Sequence, residues 1–90
     1  MDVHRAAYAE IMLKAYEEAR LEGSRISDRD KLAAYWLAKV DWFSDRLART
    51  SQIETDLESI HVPVPTPLSE ASHTLMRIVE LCEKHCELYA

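Results

Sequence analysis

Apolar side chains recur along this chain at alternating steps of three and four residues, the spacing that gathers them on one face of an α-helix. Tyr8, Met12, Ala15, Tyr16 and Ala19 make the first such stripe, widened by Ala7 and Ile11, and predict a helix over 3–22. Glu10, Lys14, Glu17, Glu18 and Arg20 occupy most of the remaining circumference, with Glu10 and Lys14 at a favourable four-residue spacing. Leu32, Trp36, Val40, Phe43 and Leu47 then form a seam suited to a neighbouring helix, with Tyr35 and Trp42 beside it. Beyond Leu47, helical spacing continues through Ile53, Leu57 and Ile60, rotated toward the Tyr35/Trp42 side. The most regular pattern lies over 67–89. Leu68, Ser72, Leu75, Val79, Cys82, Cys86 and Tyr89 form one stripe there, and Ala71, Ile78, Leu81, His85 and Leu88 a second beside it. Two adjacent stripes predict a helix packed between two neighbours.

The breaks between these segments follow from glycine and proline, which stop helices through backbone freedom and a missing N–H respectively. The one glycine, Gly23, comes just after the first periodic segment and suits the left-handed residue that ends a helix. Ser27 is a good N-cap for the second helix, and Asp28 and Asp30 suit its positive end. Ser51-Gln52-Ile53-Glu54 is a capping-box pattern, so residues 28–60 form either one helix or two meeting near Ser51. No Gly or Pro enforces a break there, which favours a continuous or kinked helix. Unbroken, it would run ~50 Å against ~30 Å for either neighbour, an overhang that calls for cover from another chain. The prolines Pro63, Pro65 and Pro67 make 61–67 an extended connector, with Thr66 as N-cap and Pro67 at the first helical position of the last helix. The expected fold is all-α: an antiparallel bundle of three long helices, or four if the second breaks near Ser51, in a single domain over 1–90.

Composition narrows the functional classes. At 90 residues the chain buries only ~60–65 % of its unfolded surface, so a core shared with a second subunit would add needed stability. The net charge of −5 argues against a phosphate-backbone partner and against an anionic membrane surface, and is compatible with a basic protein partner. No apolar run approaches the ~20 residues that cross a bilayer, and Met1–Arg5 lacks the apolar centre of a signal peptide. Cys82 and Cys86, four apart on a helix, are poorly placed for a disulfide and read as reduced thiols, which points to the cytoplasm.

Cys82, His85 and Cys86 carry the most specific candidate chemistry. Thiolate and imidazole are zinc-preferring ligands, and this spacing puts them on one helix face. A second ligand pair is missing, so His61, His73 or another subunit would have to complete the site; the plainer reading is two small core cysteines. The order is not that of haem attachment, where the His follows the second Cys. With one glycine there is no phosphate-cradling or oxyanion loop, so no enzymatic activity is expected. The aromatic concentration Tyr35, Trp36, Trp42 and Phe43, continued by Ile53 and Ile60, covers a broader arc than one small monomer fills and is the candidate interface. The expected function is a small cytoplasmic protein-interaction module, an adaptor, regulator or inhibitor of a larger protein. A phage-encoded inhibitor of a host system fits the size and charge by analogy. It would act as a homodimer or higher oligomer, with an unidentified protein partner and no cofactor, nucleic acid or membrane. Two alternatives stand beside it: a metal- or small-ligand-binding bundle built on Cys82, His85 and Cys86, and an acidic nucleic-acid mimic.

Overall fold

The computed structural model describes residues 7–89. They form three helices, α1 (Ala7–Gly23), α2 (Arg29–Ser59) and α3 (Thr66–Leu88), with no strand among the described residues. The all-α expectation holds. The part of the predicted first helix before Ala7 lies outside the described residues.

The second helix is undivided. At the Ser51 position the backbone stays helical, and nearby hydroxyls turn back onto the preceding turn: Thr50 Oγ1 donates to the Leu47 carbonyl (3.0 Å) and Thr55 Oγ1 to the Ser51 carbonyl (3.0 Å). A capping box would need Ser51 outside the helix, and without Gly or Pro nothing puts it there. By its 1.5 Å rise, α2 is ~46 Å long against ~26 Å for α1 and ~34 Å for α3.

Three helix ends differ from the sequence reading. The N-cap of α2 is Asp28, not Ser27; its carboxylate accepts from the Lys31 backbone N–H at 2.9 Å, which satisfies one of the donors left over at a helix start. Thr66 is already the first residue of α3, and Pro65 stands at the cap with its carbonyl accepting from Leu68 and Ser69 N–H. The left-handed position belongs to His61 (φ 61°), and Gly23 has no positive φ. At the end of α2, His61 N–H reaches the Glu58 carbonyl (3.0 Å) and Val62 N–H reaches that of Leu57 (2.9 Å), a Schellman closure built on a histidine. Gly23 is small for a different reason: a Cβ there would come within 3.2 Å of Trp36 Cζ2.

The chain runs up, down and up. Ser72 meets Thr50 while His85 stacks on Trp36, so α3 is antiparallel to α2; Tyr16 meets His85 while Tyr8 shares a groove with Leu68 and Ala71, so α3 is parallel to α1. As the double stripe predicts, α3 is central and packs on both partners, while α1 and α2 touch each other far less. The core is Met12, Tyr16 and Ala19 of α1, Trp36 and Phe43 of α2, and Leu75, Ile78 and Cys82 of α3. The described residues measure 49 × 30 × 13 Å, with a radius of gyration of 15.1 Å. A compact chain of this length would have ~12 Å. The molecule is a shallow slab.

Candidate functional site

α1 and α2 meet at one end of the slab and part at the other, and each end carries an opening. Where they meet, the His85 ring lies flat on Trp36, with centroids 3.9 Å apart and planes 8° from parallel. Tyr16 Oη sits 3.1 Å from His85 Nε2, and Tyr35 packs edge-on against Trp36. Burial, helped by the Arg20 charge, pushes the His85 pKa below its ordinary value, so the ring is neutral near pH 7. In the tautomer that carries its proton on Nδ1, His85 accepts from the Tyr16 hydroxyl at Nε2; in the other, Nε2–H donates to Tyr16. Burial raises the Tyr16 pKa, which keeps that hydroxyl protonated. A cleft of about 350 Å³ adjoins this cluster, lined by Arg20, Gly23, Ser24, Ile26, Leu32, Trp36, His85 and Tyr89.

At the other end a groove of about 440 Å³ opens between the start of α1 and the α2/α3 pair, lined by Tyr8, Arg49, Thr50, Ile53, Pro67, Leu68 and Ala71. Beside it, α2 and α3 are pinned by polar contacts. Ser72 Oγ stands 2.6 Å from Glu54 Oε1 and 3.0 Å from Thr50 Oγ1; its single proton goes to the carboxylate, the stronger acceptor.

The predicted ligand trio is not brought together. Cys82 is fully buried in the core, and its thiol is pushed up to about 12, chiefly by burial and secondarily by Cys86. Burial, with Glu83 next, also raises the half-buried Cys86. Neither is in a disulfide. His85 spends Nε2 on Tyr16 and its face on Trp36. Among the described residues no group of three His, Cys, Asp or Glu side chains converges to hold a metal ion.

The candidate interface divides. Trp36 and Phe43 are 2 % and 1 % exposed, core residues that present no surface, because the arc expected to be left over faces α1 and α3. Tyr35 and Trp42 flank the junction with α1. Lys39 approaches the Tyr35 face at 5.1 Å, and the Arg46 guanidinium covers Trp42 at 3.2 Å while donating to its carbonyl. Ile53 and Ile60, at 49 % and 65 % exposed, are open to solvent on the overhanging part of α2. The sequence reading missed the Tyr16–His85–Trp36 cluster and the part of Arg20 and Tyr89 in the cleft. One signal for it was present: a lone glycine ahead of a helix rich in aromatic residues marks a close approach as readily as a turn.

No family model, curated protein or solved structure matches the chain. The fold defines the class by itself, an all-α protein of three mutually packed helices, and among the described residues no helix is long and apolar enough to cross a membrane.

Proposed function

We propose that this protein is an interaction module that works as a homo-oligomer, with a second copy seated on the groove bounded by Tyr8, Ile53 and Leu68, and that it binds partner proteins without chemistry of its own. The observation that carries this reading is the apolar overhang of α2, where Ile53 and Ile60 are 49 % and 65 % exposed. Helical domains bury their apolar stripes by closing a core on itself or by adding a second layer. Here α1 covers the α2/α3 pair only from Trp36 to about Thr50. Past that point Ile53 and Ile60 are exposed and Leu57 and Leu68 half covered. The groove lining is apolar apart from Thr50, Arg49 and the Tyr8 hydroxyl, and Arg49 is already paired with Asp45 at 2.9 Å. A second copy is the one partner present at every concentration of the protein, and a two-fold contact would let each overhang complete the other's groove.

Sedimentation equilibrium tests this directly. The expected result is a dimer or larger species at ~10 µM that Ile53→Glu weakens by at least about tenfold, since the substitution sets a charge in a desolvated contact. Association should tighten as salt is added, because each copy carries a net charge of −5 and like charges are screened. An acidic mimic binding a basic target would show the opposite salt dependence. A monomer up to ~100 µM at every ionic strength would refute the proposal.

A further inference from the structure

We infer that the cleft between the Trp36–His85 stack and the α1–α2 turn binds a small aromatic carboxylate. The site draws on all three helices, so the packed core holds its shape. Its volume, about 350 Å³, is within the range of small-molecule sites and accepts a single-ring ligand with room for substituents.

The lining has a one-sided chemistry. Among the described residues its one charged lining residue is the cation Arg20, and no carboxylate lines it. Trp36 supplies a further donor. Among the described residues its indole N–H has no acceptor, and no side-chain nitrogen or oxygen there is both sealed from solvent and unpaired. That nitrogen would lie 3.3 Å from a Cβ on Gly23, itself a cleft residue, so the indole edge and the glycine form one wall of the cleft. In the tautomer whose Nε2 accepts from Tyr16, His85 adds an Nδ1–H donor. Ser24 has already given its proton to the Leu21 carbonyl at 2.6 Å. A cation and two N–H-bearing rings lining one small space select an anion with several acceptor positions, and a carboxylate offers four lone pairs in one plane. Ile26 and Leu32 make the rest of the wall apolar, which favours an anion carrying a hydrocarbon ring over a bare ion.

The test follows the Trp36 indole N–H signal in a nitrogen–proton correlation spectrum of the Trp42→Phe protein, where it is the one indole resonance. Benzoate is the probe, with acetate and benzyl alcohol supplying the charge and the ring separately. Benzoate should shift the signal saturably with a Kd near or below ~1 mM, and acetate and benzyl alcohol should each bind at least about tenfold more weakly. Arg20→Gln, at an exposed position of α1, should weaken benzoate about tenfold. Ser24→Glu, which puts a like charge at the mouth without touching the core, should weaken it as well. An indole signal unmoved by benzoate at about 10 mM overturns the inference. Equal binding of benzyl alcohol or acetate, or unchanged benzoate affinity in a folded Arg20→Gln protein, overturns it equally.

Discussion

Leu75→Ala should cost about 3 kcal/mol of folding stability. Leu75 is 0 % exposed at the middle of α3, the helix held between the other two. The substitution removes three carbons, worth ~2.4 kcal/mol at about 0.8 kcal/mol for each buried methylene-sized group. A cavity term adds about 1 kcal/mol, because a site walled by two packed helices collapses only in part. A chain of 90 residues has a total stability of ~5–13 kcal/mol, so the loss is a large fraction of the whole. In thermal unfolding it corresponds to a fall in Tm of ~12–25 °C.

The assay is urea unfolding followed by far-ultraviolet circular dichroism, at one fixed protein concentration so that any self-association contributes equally. Leu88→Ala is the matched control. It makes the same chemical change on the same helix at a side chain 66 % exposed, and should move stability by no more than ~0.5 kcal/mol. A loss below ~1 kcal/mol for Leu75→Ala, or equal losses for the two variants, would refute the placement of α3 at the centre of the fold.

Gly23→Ala should destabilise by about 1 kcal/mol even though alanine is the better helix former, because its Cβ would press on a Trp36 ring already fixed by His85 and Tyr35; urea unfolding checks this, and a stabilised variant would show that the ring can retreat. Stability should also fall with acid through His85. Its folded pKa lies below the unfolded value of ~6.5, so the unfolded chain binds more protons in that window. The contribution is neutral above about pH 7.5 and becomes a penalty as pH drops through ~6.5, and His85→Gln should flatten that part of the profile in unfolding titrations from about pH 8 to 5.5.

The fold was largely legible because the elements that specify it are local. Three- and four-residue spacing places Met12, Tyr16, Trp36, Phe43, Leu75 and Cys82 on buried faces, and each is in the core. The double stripe on 67–89 foretold a central helix, since a face that wide has to meet two partners. The ends were less legible because caps compete within a residue or two. Asp28 and Ser27 both offer a capping oxygen, and which one serves depends on where the first turn closes. The site was hardly legible at all. Cys82 and His85 look like partners on a helical wheel, yet the approach of α1 and α2 sends one into the core and the other onto Trp36. No local spacing encodes a contact between Tyr16 and His85, separated by 69 residues.

The same helix packing accounts for both openings. At the closed end large rings do the joining: Tyr16 and Trp36 centroids stand 6.2 Å apart, and His85 fills the angle between them from α3. Rings of that size leave a gap at their edge, which Gly23 keeps open on the α1 side. At the other end the residues facing the junction are small or polar: Ala71, Ser72 and Thr50. Ser72 holds α3 to α2 through its hydrogen bond to Glu54, which needs nothing from α1, so α1 gains little apolar burial by leaning in. The groove is therefore a consequence of how the α2/α3 pair is fastened. Filling it with larger apolar residues at Thr50 and Ser72 would draw α1 inward only by breaking the fastening to Glu54.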